Sequence, residues 1–186
     1  MSLSLFQKNK YYYHSRAGLI ISFLKVKDKT ILDIGCANQS IYFYCKENCK
    51  KYLGIDILEF ENKEHFICAD YLSLSLPQTF DLVFLIGVLN HVKEEDQIIF
   101  LNKARSNTSQ QLIYTYANPA NLINYFISII RKKNLIITGV NKKASIYLFK
   151  LPYFQKVWNF NAWPLREYLA TEFVIIEEVN PILKTS

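Results

Sequence analysis

The sequence predicts an α/β fold with a doubly wound, mostly parallel sheet of six strands, or seven if the tail adds one, and helices on both faces. Three observations predict it. Short apolar runs alternate with helix-like segments along most of the chain. The first of these runs, Ile31, Leu32 and Ile34, lacks the polar/apolar alternation of a half-exposed sheet, as strands buried on both faces do. Successive runs end in an acid or a glycine, namely Asp33/Gly35, Asp56, Asp70 and Ile86/Gly87. The carboxyl edge of an open parallel sheet is where ligands bind.

Length sets the frame for these elements. A chain of 186 residues reads as one domain, 1–186, long enough to bury a full core. Within it, 1–29 reads as a helical cover and 134–162 as a lid or insertion. A hydrophobic content of 51%, with 13 Tyr and 13 Phe, excludes a largely disordered chain. The net charge of +6 permits contact with nucleic acid or an anionic membrane surface, but the lysines are scattered, so it reads mainly as surface composition. Cys36, Cys45, Cys49 and Cys68 show no CxxC spacing. They predict free thiols, no zinc site and a cytoplasmic location, because no secretory signal precedes them. No run reaches the ~18 apolar residues of a membrane span.

In chain order, Lys10 to Lys25 carries Leu19, Ile20, Phe23 and Leu24 at helical spacing. The first strand follows at Ile31 to Ile34, and Gly35 supplies a turn that admits close approach to the backbone. Ile41 to Lys50 has the length of a crossover helix, Lys51 to Ile57 reads as the second strand, and Asp56 ends it. Asp56 lies about 20 residues after the glycine turn, where a carboxylate can hold both ribose hydroxyls of a nucleoside. Leu58 to Glu64 is too short for a substantial helix, so the second crossover is abbreviated. His65 to Asp70 and Phe80 to Gly87 read as the third and fourth strands, and Asp81, at a strand entry, as structural. Glu94 to Ala104 is a helix acidic at its start and basic at its end, in the sense that suits its dipole. Leu112 to Tyr116 is a fifth strand, Asn121 to Arg131 an apolar helix, Trp163 to Leu169 another, and Phe173 to Val179 a sixth strand. The aromatic stretch Tyr147 to Trp163 fits either a substrate pocket or a small second core.

These residues carry a resemblance. Asp33 and Gly35 match the start of the acidic-x-Gly-x-Gly-x-Gly motif of the class I S-adenosylmethionine-dependent methyltransferases, which have a Rossmann-like fold. Ala37 and Gln39 stand at the second and third glycine positions, and Gln39 then has to turn its side chain from the pocket. The resemblance implies S-adenosylmethionine as cofactor, held by Asp33, Gly35, Cys36 and Ala37 in the loop. It gives Asp56 the ribose, with Ile57 beside it. It gives Asp70 the adenine amine, with Tyr71 beside the ring, although Asp70 can equally cap the turn that follows. Ile86 and Gly87 would flank the methionine portion, and Arg16 or Tyr13 would reach its carboxylate.

Val88-Leu89-Asn90-His91-Val92 is similar to a frequent segment of that family. His91 is the candidate catalytic base, since its pKa lies near neutrality, or else it packs at the start of the next helix. The implied activity is methyl transfer, without metal, to a small-molecule or lipid-like acceptor. No Asn/Asp-Pro-Pro-Tyr/Phe segment follows the fourth strand, which disfavours nucleic acid as acceptor. The alternatives are a catalytically silent binding or scaffold protein, favoured by the altered loop, and an RNA methyltransferase, prompted by the charge.

Overall fold

β1 (Thr30–Ile34) lies inside the sheet because its residues have to be covered on both sides: Ile31 and Leu32 have no exposure and Ile34 almost none. The computed structural model describes residues 10–60, 65–117, 145–150, 153–157 and 172–179. Around β1 stand β2 (Lys51–Asp56), β3 (Phe66–Cys68), β4 (Phe80–Leu85), β5 (Thr108–Ala117), β6 (Ser145–Lys150), β7 (Tyr153–Val157) and β8 (Glu172–Glu178). The sheet order is β3-β2-β1-β4-β5-β8-β6-β7. The first five strands of that order pair in parallel, with Leu32 beside Leu53 on one side and Val83 on the other. From β8 onward every pairing is antiparallel.

Period-two alternation divides the strand residues between two cores. Ile31, Leu82, Phe84, Ile113, Val174 and Ile176 face α1 (Lys10–Ser22) and α2 (Ser40–Cys45), meeting Ala17, Ile20, Ile21, Ile41 and Cys45. Leu32, Ile34, Val83, Leu85, Leu112 and Ile175 face α3 (Glu94–Ser106), meeting Phe100, Leu101 and Ala104. Each buried aliphatic side chain of this kind contributes about 1.5–3 kcal/mol over leaving it exposed. α3 carries Glu94, Glu95 and Asp96 in its first turn and Lys103 and Arg105 in its last, as its dipole favours. Asn107 ends it by donating its N–H to Lys103 and Ala104 carbonyls, then accepts from the Phe80 N–H at 2.8 Å as β4 begins. Glu177 is buried on this face and takes both Arg105 Nε and Nη2 at 2.8 Å, with the Tyr114 hydroxyl as a further donor.

The doubly wound layout agrees with expectation, and the sheet is wider than the six or seven strands foreseen. The strand expected sixth, Phe173 to Val179, is β8, an antiparallel strand slotted between β5 and β6. The sheet gains β6 and β7 from within 134–162, the stretch expected to be a lid or insertion. Strand order depends on which partners pair, and nothing local in Ile146 to Phe149 encodes that choice. α1, α2, β2, β3 and β4 are each shorter than expected, and β5 is longer. The expected helices Asn121 to Arg131 and Trp163 to Leu169 and the tail Ile182 to Lys184 lie outside the described residues, as do Trp158 and Phe160.

Candidate functional site

The carboxyl ends of β1, β2, β3 and β4 surround one cavity of about 590 Å³, within the range that holds a cofactor-sized molecule. Twelve of the residues expected at the site line it: Arg16, Asp33, Gly35, Cys36, Ala37, Asp56, Ile57, Asp70, Tyr71, Ile86, Gly87 and His91. Topology explains the convergence, because parallel neighbours end at the same edge.

The loop from β1 to α2 has an unusual backbone. Gly35 has φ +70°, Ala37 +43° and Gln39 +55°. The three positions where the resembled motif has glycine are therefore all left-handed, and two are filled by residues that pay a steric penalty there of roughly 1–2 kcal/mol. Hydrogen bonds hold the conformation: Gly35 and Cys36 N–H donate to the Ile55 carbonyl at 2.7 and 3.2 Å, and Gln39 N–H to Cys36 at 2.7 Å. Gly35 has a second constraint, since a Cβ there would run into Val88. Gln39 is buried and does not line the cavity, as its side chain had to.

Asp56 braces this loop. Its Oδ2 accepts from the Ala37 N–H at 2.9 Å and its Oδ1 from the Leu58 N–H at 3.0 Å. Those bonds use two of about four lone-pair sites on a carboxylate, so the group can still accept from a diol. Beside it Ile57 is 70% exposed at the cavity, an apolar face suited to a flat ring. Asp33 sits deeper, 3% exposed, and accepts from the Tyr52 hydroxyl at 2.7 Å. Burial, and then the Asp33 charge, push the Tyr52 phenol well above its ordinary pKa. It stays a neutral donor to Asp33.

Asp70 does cap its own turn: Oδ1 accepts from the Leu72 N–H at 3.0 Å, and the group is exposed at the cavity. Tyr71 is buried, its ring 5.1 Å from Phe100 and its hydroxyl donating to Asn107 Oδ1 at 2.8 Å. Lys103 Nζ donates to the Leu72 and Leu74 carbonyls, both at 2.7 Å. Tyr71 and Lys103 thus hold the 70–74 loop against α3, and Tyr71 also lines the cavity. Across the cavity Gly87 is left-handed at φ +76°, and a Cβ there would lie 3.4–3.5 Å from the guanidinium nitrogens of Arg16. Arg16 is 5% exposed. His91 ends a 3-10 turn (Leu89–His91) at the exposed rim. Tyr13 has no described side chain.

Sequence reasoning missed Asn38, Asn90, Lys93 and Asp96, which also line the cavity. They are ordinary polar residues of turns and a helix start, with no spacing to single them out. Among the described residues no cluster of His, Cys, Asp and Glu could hold a metal ion, and no helix is long and apolar enough to cross a membrane.

The matched domain and the fold both have counterparts among known proteins. Residues 32–106 match the methyltransferase domain family. A tRNA U34 carboxymethyltransferase of Aliarcobacter butzleri is 34% identical over 87 residues, 39% of this chain and 29% of that protein. The matches span less than half the length of the curated relatives, 29% and 48%. A SAM-dependent methyltransferase structure from Archaeoglobus fulgidus superposes with a TM-score of 0.68 at 20% identity, covering 95% of this chain and all of that one. Magnesium protoporphyrin IX methyltransferase from Synechocystis, solved with bound S-adenosylhomocysteine, gives 0.57 at 15% identity over 97% and 89%. Residues 32–106 thus match a methyltransferase domain, and the chain has the fold of these S-adenosylmethionine-dependent methyltransferase structures.

Proposed function

We propose that the cavity binds S-adenosylmethionine and that the chain transfers its methyl group directly to a small-molecule or lipid-like acceptor. One observation carries this reading: Asp56, braced against a left-handed loop by the Ala37 N–H, faces the same cavity as Asp70, Gly87 and Arg16. In the proposed complex Asp56 accepts from the ribose hydroxyls, Asp70 from the adenine amine, and Arg16 donates to the carboxylate. Ile57 and Ile86 give apolar walls. An acceptor O, N or C then attacks the sulfonium methyl in line, the S–CH3 bond breaks toward sulfur, and S-adenosylhomocysteine remains. The acceptor proton leaves to water or to His91. The chain's contribution is positioning and exclusion of water, which can supply several orders of magnitude in rate.

A second reading, tRNA as acceptor, is favoured by the Aliarcobacter relative and by the charge of +6. Methyl-labelled cofactor offered with a metabolite and lipid extract, or with bulk tRNA, separates the two. Label in the extract is expected. Label in tRNA would replace the first reading with the second, and label in neither, with cofactor bound, would leave a binding protein.

A further inference from the structure

Thr115 occupies a place that sheet geometry reserves for an apolar side chain. On β5, Ile113 faces the α1 and α2 core, and Thr115, two residues on, faces the same way. It pairs with Val174, which is wholly buried in that core, and is itself without exposure. A valine has nearly the same shape and carries no hydroxyl to desolvate, which costs free energy unless it is bonded. The hydroxyl has a specific task. Thr115 Oγ1 accepts from the Gly87 N–H at 2.7 Å, across to the turn that ends β4. Gly87 is left-handed there, and its bare Cα faces the Arg16 guanidinium closely enough that a methyl group would stand 3.4–3.5 Å from two of its nitrogens. Thr115 does not line the cavity, whereas Gly87 and Arg16 do.

We propose that Thr115 is a positioning residue: by fixing the left-handed peptide of Gly87, it sets where the Arg16 guanidinium stands in the cavity and so tunes recognition of the ligand's carboxylate. This rests on the reading of the cavity as a nucleoside thioether site. The chain of contact runs from the β5 hydroxyl to the β4 turn and from the turn to α1. If the Gly87 N–H loses its acceptor, the peptide can rotate. Any rotation moves the surface on which the guanidinium lies, and its hydrogen bonds to an anion are sensitive to such shifts. The adenosine end of the site, built on β1, β2 and β3, shares none of these contacts.

The test compares two ligands in calorimetry: S-adenosylhomocysteine, which carries the amino-acid carboxylate, and methylthioadenosine, the nucleoside thioether without it. Thr115→Val is expected to weaken the first by roughly tenfold, about the value of one charge-assisted hydrogen bond, and to leave the second unchanged. Thr115→Ser, which keeps the oxygen, restores the first. An equal loss for both ligands, or no loss for either, would overturn the proposal while leaving the proposed function standing. Binding of neither ligand by the unaltered chain would overturn both. Should Thr115→Val fail to fold, Gly87→Ala perturbs the guanidinium directly, and the same ligand-selective loss is required of it.

Discussion

The parallel strands carry carboxylates at both ends, and the two ends treat them differently. At the amino end Asp81 is saturated. It accepts from the Thr30 N–H at 2.8 Å, the Thr30 hydroxyl at 2.9 Å, Gln110 Nε2 at 2.7 Å and the Ser109 hydroxyl at 3.3 Å. Lys29 completes the group by donating to Gln110 Oε1 at 2.8 Å. Burial raises the Asp81 pKa, but the Thr30 and Ser109 hydrogen bonds and the Lys29 charge together bring it below the ordinary value of 3.8. At the carboxyl end, Asp56 accepts from the Leu58 amide of its own turn and the Ala37 amide of the neighbouring loop, Asp70 accepts from the Leu72 amide of its own turn, and both face a cavity. The same residue type thus clamps β1, β4 and β5 at one edge and remains able to accept from a ligand at the other. What distinguishes the two roles is the number of donors the fold itself supplies.

Three substitutions would break or sharpen this contrast. The largest effect is expected at the ligand edge from Ala37→Leu, which adds three carbons to a residue that lines the cavity and is already left-handed. Loss of detectable S-adenosylhomocysteine binding is the expected outcome. Retained affinity would mean that the loop does not touch the ligand.

At the opposite edge Asp81→Ala should destabilise the fold by about 1–3 kcal/mol, because several donors lose their acceptor, while ligand affinity stays as it was. The pH dependence has a definite sign. The folded pKa lies below the unfolded one, so the stabilisation is present above about pH 3.8 and is lost as pH falls through the folded value. Melting temperature recorded between neutral and acid pH should therefore fall less steeply for the variant than for the unaltered chain. Parallel acid limbs would remove Asp81 from the clamp.

The smallest effect is expected from Gln39→Gly. Relief of the left-handed strain should raise stability by up to about 1 kcal/mol in chemical denaturation. Ligand affinity should not fall, since Gln39 does not line the cavity. Destabilisation would show that the buried Gln39 side chain matters more than its backbone.

The carboxyl edge was legible in the sequence because its signals are local. Gly35 marks the turn, Asp56 stands at a fixed distance after it, and Asp70 and Gly87 each follow an apolar run. The antiparallel edge was not legible, because the insertion of β8 between β5 and β6 depends on pairing among residues far apart in the chain. Asp33 shows the limit within the site. Its place beside the loop was foreseen, but its partner, the Tyr52 hydroxyl, comes from a neighbouring strand with no spacing rule to announce it. Tyr71 was foreseen beside the ring, but the bond from its hydroxyl to Asn107 had no spacing rule to announce it, because that partner stands at the far end of α3. The left-handed backbone at Ala37 and Gln39 was hidden by the residues themselves, neither of which ordinarily advertises positive φ.

The most direct test of the account is a calorimetric titration of S-adenosylhomocysteine into the unaltered chain, Asp56→Ala and Asp81→Ala side by side. The expected result is binding to the unaltered chain, a loss of about 1–3 kcal/mol for Asp56→Ala through the missing ribose acceptor and the unbraced loop, and unchanged affinity for Asp81→Ala. Equal affinity for all three proteins, or no binding to any of them at millimolar ligand, would contradict it.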